Sequence, residues 1–167
     1  DSYIHNIGVA TGDQCDISGD CGNTHNPSQN DPECIFLKDA RFFLIQNNRI
    51  ERCNHGAIEI GYNNPGNTGL PSYYGKVLNT VIDQHWGGGI YLAFDSMYNL
   101  IEGNVITHTG GTTTYLKPGM ELAGSNNTIR KNVFYEPSDK AMDIEAGSAG
   151  FSNSANDNLI YNNVLFG

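Results

Sequence analysis

Long apolar runs are missing from this sequence. No stretch approaches the ~18 consecutive apolar residues of a membrane-spanning helix, so a helical span is excluded. Basic residues are scarce: nine Lys and Arg stand against 18 Asp and Glu, for a formal net charge of −9. Phosphate backbones are bound by clustered Lys and Arg, so a nucleic-acid partner is excluded. A polyanionic substrate is disfavoured unless cations screen it, and a neutral ligand or a divalent metal suits the charge better. Charged residues of both signs make up only 16% of the chain, and nine Tyr, seven Phe and one Trp supply aromatic bulk, which together argue against disorder. An initiator Met and a signal peptide are also lacking. With strand-like residues at its start (Asp1-Ser2-Tyr3-Ile4) and finish (Asn163-Val164-Leu165-Phe166-Gly167), the chain reads as a mature or trimmed piece, or a fragment of a longer protein.

What is present is turn chemistry. The 167 residues include 20 Gly and many Asn, a pairing that signals tight turns between short strands. The length suits a single domain over 1–167.

Two elements recur in fixed order. The first is small–apolar–x–apolar: Cys34-Ile35-Phe36-Leu37, Ala57-Ile58-Glu59-Ile60, Gly89-Ile90-Tyr91-Leu92, Gly119-Met120-Glu121-Leu122 and Ala141-Met142-Asp143-Ile144. The second is apolar–x–x–Asn–x–apolar: Ile45…Asn48…Ile50, Ile101…Asn104…Ile106, Ile129…Asn132…Phe134 and Ile160…Asn163…Leu165, with Thr80 replacing Asn in Val77…Thr80…Ile82. Three copies carry a further Asn two residues before the apolar position, at Asn99, Asn127 and Asn158. Alternating apolar residues point into a shared core and the x positions point out. The Asn residues are expected at the bends, where Asn tolerates the left-handed conformation, and stacked Asn side chains can bond to one another. A twisted antiparallel sandwich would not explain the fixed order.

This pattern resembles the parallel β-helix repeat superfamily, whose members include pectate lyases, polygalacturonases, β-helix xylosidases and alginate-modifying enzymes. The resemblance covers about residues 34–167 and implies an all-β, right-handed parallel β-helix, a β-solenoid of about five coils with inserted loops. Residues 1–7 read as the last strand of a preceding coil. The resemblance also implies a carbohydrate-active protein. The Asp-Pro-His-Asp of the alginate epimerases is absent, as are the polygalacturonase and pectate-lyase signatures, so no catalytic residue carries over by motif.

The cysteines all lie in the first third. Cys15 and Cys21 are expected to close a small loop inside an insertion over 8–33, and Cys34 and Cys53 to join adjacent coils. Four buried thiols are the alternative. Disulfides place the chain outside the cytosol: secreted, extracellular or at the cell surface. The spacing matches no zinc signature.

Within the first element the middle residue faces outward, giving a column Phe36, Glu59, Tyr91, Glu121, Asp143. Coils about 4.8 Å apart make Glu121 and Asp143 neighbours and raise one carboxyl pKa by repulsion. Glu121 and Asp143 are the expected catalytic pair, with Glu59 a third carboxylate. A pair one coil apart suits retaining hydrolysis, and a wider pair such as Glu59 and Glu121 suits inversion. In a lyase, Lys117 or Lys140 would supply the base. The insertions 8–33, 61–75 and 107–118 could wall a groove, with Tyr91, Trp86, Tyr115, His85 and His55 as substrate contacts. No cofactor is required, although clustered carboxylates admit calcium, as does the run Asp13, Asp16, Asp20. The expected partner is a polysaccharide or oligosaccharide cleaved by a hydrolase or lyase. Two other readings stand beside it: a structural β-solenoid that self-stacks through uncapped ends into an oligomer or filament, and a non-catalytic glycan-binding module.

Overall fold

A computed structural model describes residues 2–5, 33–51, 53, 56–61, 71–83, 87–110, 118–145 and 155–167. These residues form short parallel strands stacked into three principal sheets, and no helix is present among them. One sheet stacks six strands: Ser2–His5, Asn48–Glu51, Val81–Asp83, Val105–Thr107, Val133–Tyr135 and Val164–Phe166. A second stacks Leu44–Gln46, Lys76–Leu78, Leu100–Glu102, Thr128–Arg130 and Leu159–Tyr161. The third, called the ladder sheet below, stacks Ile35–Leu37, Gly56–Ile60, Gly88–Leu92, Met120–Leu122 and Met142–Ile144. Every pairing is parallel, as a solenoid requires when each coil returns to the same sheet one layer on.

The two repeated elements map onto this architecture unequally. The first element is one strand of the ladder sheet. The second is split: its leading apolar residue lies in one sheet and its trailing one in the next, with the Asn at the bend between them. The inward residues form continuous columns. Val77, Ile101 and Ile129 make one; Ile50, Ile82, Ile106 and Phe134 another; Ile60, Leu92 and Leu122 a third. All are buried and belong to one core. Each such side chain contributes roughly 1.5–3 kcal/mol by leaving water.

Two buried polar ladders run beside these columns. Asn104 shows the repeating unit. Its Oδ1 accepts from Thr80 N at 2.9 Å, and its Nδ2 donates to the Val77 carbonyl and to Asn132 Oδ1, both at 3.0 Å. Asn132 repeats the pattern toward Asn163. In the second ladder Asn99 accepts from Gly75 N and passes the pattern to Asn127, whose own N–H donates to Asn158 Oδ1. These amides bond the turn backbone that the strands leave unpaired. The ladder Asn residues do not themselves take the left-handed conformation expected of them. The preceding residue does: Asn47, Asn79, Gly103, Lys131 and Asn162 have φ between 48° and 69°. The bend is made one position early, which leaves the Asn side chain free to turn inward and reach the coils on either side.

The Cys34–Cys53 disulfide is present, with Cα atoms 5.4 Å apart. It links the start of the first repeated coil to the point where the second begins, and closing a loop of this length is worth about 3 kcal/mol in the chain-entropy view. Cys15 and Cys21 lie outside the described residues. At the far end the last coil leaves its inward residues open: Ile144, Ile160 and Leu165 stack in register on the buried Leu122, Ile129 and Phe134 yet are exposed.

Candidate functional site on the ladder sheet

The outward column stands in the order that strand alternation gives. Phe36 pairs with Glu59, Glu59 with Tyr91, Tyr91 with Glu121, and Glu121 with Asp143. Three of these side chains, Glu59, Tyr91 and Glu121, line one pocket that opens to solvent, with about 320 Å³ of empty space counting its mouth. Its other walls are Glu33, Gly56, Ile58, Gly88, Gly89, Ile90 and Pro118.

The pocket exists because one row of the sheet lacks side chains. The register that pairs Ile35 with Ile58 and Ile58 with Ile90 brings Glu33, Gly56, Gly88 and Pro118 to equivalent positions at the starts of successive strands. Gly56 and Gly88 leave that row bare. The Glu33 side chain lies over the bare row, where an added Cβ on Gly56 would stand 3.9 Å from Glu33 Cγ. Gly89 is fixed by packing, since a Cβ there would enter the Gly119 carbonyl oxygen.

Glu59 is a strongly perturbed acid of the site. Only 9% of its surface remains exposed. Burial pushes its carboxyl up to about 8, and a hydrogen bond with the Glu33 side chain adds to this, as do the negative charges of Glu33, Glu121 and Asp95. Glu59 therefore carries a proton near neutral pH and can donate it. Burial also holds the Tyr91 phenol well above its ordinary value, with Glu121, Glu145, Glu59 and Asp95 acting in the same direction. The Tyr91 hydroxyl is buried and has no hydrogen-bond partner among the described residues. It is a neutral donor beside the pocket, and buried polar groups left unmatched call for an explanation.

The expected pair Glu121 and Asp143 are register neighbours, and of the two only Glu121 lines the pocket. The Asp143 carboxylate accepts from Lys140 Nζ at 2.9 Å, and Asp143 is not part of the pocket wall. Lys140 is thereby held on an acid, with its own pKa raised first by that bond. No basic side chain lines the pocket among the described residues. His108 lies on another sheet's turn, with Nδ1 2.8 Å from Asp83 Oδ1. His55, His85, Trp86, Tyr115, Lys117, Asp13, Asp16 and Asp20 lie outside the described residues. Among the described residues no three His, Cys, Asp or Glu side chains are grouped to hold a metal ion, and no helix is long and apolar enough to cross a membrane.

Two acids that bear on the site, Glu33 and Asp95, were not anticipated from the sequence. Glu33 immediately precedes a repeat copy. Extending the copies one position upstream would have set it against Gly56 and Gly88. Asp95 follows the strand Gly88–Leu92 in a turn, where alternation gives no direction.

No curated protein and no solved structure matches the chain. Residues 3–167 match the family described as the right handed beta helix region. With parallel strands stacked in register among the described residues, the chain belongs to the right-handed β-helix family.

Proposed function

We propose that the ladder-sheet pocket hydrolyses a glycosidic bond in an uncharged glycan, with inversion at the anomeric carbon. The observation that carries this reading is a buried Glu59, its carboxyl pushed up to about 8, two strands away from Glu121 across one pocket. Two strand spacings place their backbones about 9–10 Å apart. Inverting glycosidases hold an acid and a base roughly 6.5–9.5 Å apart, leaving room for a water. Glu59 would give its proton to the glycosidic oxygen as the bond to the anomeric carbon breaks. Glu121 would take a proton from the water that attacks the opposite face. Tyr91 lies between them in register, and its hydroxyl would donate to a sugar oxygen.

Hydrolysis is favoured over lyase chemistry by charge. A lyase needs a base near a screened acidic sugar, and among the described residues the pocket wall offers Glu33, Glu59 and Glu121 and no cation. The same charges would repel uronates. The Cys34–Cys53 disulfide supports a secreted or cell-surface location.

The test is a screen of neutral oligosaccharides followed by proton NMR of the first product anomer. Inversion is expected. Glu59→Gln and Glu121→Gln should each lower kcat by about 10²–10⁴-fold. Retention of configuration, or full activity in both variants, would remove the assignment.

A further inference from the structure

Gly56 opens the strand Gly56–Ile60 without a structural need, among the described residues, to be glycine. Its φ is not positive; that conformation falls on Gly61, Gly103 and Gly110. Among the described residues, a Cβ built on it would stand 3.8 Å from the Gly88 carbonyl oxygen and 3.9 Å from Glu33 Cγ, which is ordinary contact. Glycines in the next coils differ. A Cβ on Gly89 would enter the Gly119 carbonyl oxygen, and one on Gly119 would stand 2.7 Å from the Ala141 carbonyl oxygen. A glycine in a strand loses more conformational freedom on folding than Ala, and it often marks a place where a ligand or another backbone comes close. The described backbone around Gly56 leaves room for a methyl, so a ligand is the remaining reason. The space left open belongs to the ladder-sheet pocket, where Gly88, Ile58, Ile90 and Pro118 add further backbone and carbon to the wall. Tyr91 lines the same pocket, and its buried hydroxyl has no hydrogen-bond partner among the described residues. A phenol donates one proton, and an ether or hydroxyl oxygen of a ligand would accept it. Apolar walls with a few placed polar groups are the usual make-up of a small-molecule site.

We propose that Gly56 is a specificity-determining residue: the side chain it lacks leaves a subsite in which one ring of an uncharged glycan lies with its carbon–hydrogen face on the bare row of Gly56 and Gly88, and accepts a hydrogen bond from Tyr91 on one of its oxygens. The class of ligand rests on the glycan-hydrolysis reading above, whereas binding is measurable without turnover. A sugar ring suits this surface because its faces are carbon-bound hydrogen and its rim is oxygen. The face meets backbone stripped of side chains, and the rim reaches the Tyr91 hydroxyl. A methyl on Gly56 would occupy that space without straining the strand, so it would exclude the ring and leave the fold intact.

The experiment is isothermal titration calorimetry of the full chain with cellotetraose, xylotetraose and maltotetraose, beside thermal unfolding of the same samples. At least one of these neutral probes should bind the wild type. Gly56→Ala should weaken that binding by about tenfold or more. Its thermal midpoint should hold or rise, since Ala in an extended strand costs less backbone entropy than Gly. Tyr91→Phe should also weaken binding and still fold, because the hydroxyl it loses leaves no described partner unmatched. No binding of any probe by the wild type would overturn the proposal. So would equal affinity in Gly56→Ala, and so would a fall in its thermal midpoint, which would mean that the fold itself needs the glycine. Full affinity in Tyr91→Phe would remove Tyr91 from the subsite. In an active chain, KM should rise in Gly56→Ala while kcat falls less, as for a loss of uniform binding. A wild type that binds a probe, loses it in Gly56→Ala and cleaves no glycan keeps the subsite and removes the hydrolase reading. Cleavage with the same KM in both proteins does the reverse.

Discussion

Glu59→Gln preserves the shape of a protonated glutamic acid and removes its ability to ionise. In the wild type, burial, the Glu33 bond and neighbouring acids raise the Glu59 carboxyl from 4.5 to about 8. Above about pH 4.5 the unfolded chain releases this proton while the folded chain keeps it. The stability it contributes is therefore complete below that point and is lost as pH rises toward about 8, where the folded form ionises as well. At ~1.36 kcal/mol per unit, the shift corresponds to about 5 kcal/mol across the window. That is a large part of the roughly 5–15 kcal/mol that holds a typical domain together. Urea unfolding of wild type and Glu59→Gln at several points between about pH 5 and 8 isolates this term, since most other titrating groups are common to both proteins. The wild type should lose stability relative to the variant across the window, by several kcal/mol at its alkaline end. Parallel stability curves would refute the claim that the fold holds a proton on Glu59.

Two further outcomes follow from packing. Asn104→Ala removes the acceptor for Thr80 N and both Nδ2 bonds, and buried partners left unmatched should cost about 2–4 kcal/mol in a urea titration. Gly89→Ala places a methyl against the Gly119 carbonyl and Ile106 Cγ2, and overpacking should lower stability by about 1–3 kcal/mol in thermal unfolding; an unchanged midpoint would mean that the ladder sheet yields at this row.

The architecture was legible because a solenoid repeats its constraints. Each apolar column is written in the sequence several times, as in Ile82, Ile106 and Phe134, so one irregular copy such as Thr80 does not obscure the period. The Cys34–Cys53 pairing followed from the same coil spacing. Alternation also placed the outward column in its order. The environment of that column was not legible. Strand alternation says that Glu59 and Asp143 both point outward, yet one is nearly buried and the other sits on Lys140. The difference comes from Gly56 and Gly88, whose missing side chains make a pocket, and from Glu33, which lies before the repeat begins. The left-handed turn position was misplaced by one residue for a related reason. Composition shows that Asn is needed near the bend, but it does not show whether the backbone or the side chain needs it.

The register of the ladder sheet makes the distance between acid and base a discrete quantity. Phe36, Glu59, Tyr91, Glu121 and Asp143 occupy successive rungs, so the gap between any two of them changes only in whole steps of about 4.8 Å. One step matches the spacing of a nucleophile and its acid, and two steps match that of an acid, a water and a base. On this scaffold a single exchange of residue types between neighbouring rungs would move a carboxylate from one stereochemical regime to the other without bending the backbone. Reaction outcome becomes a matter of counting coils, in the way that the pitch of a screw turns rotation into fixed advances.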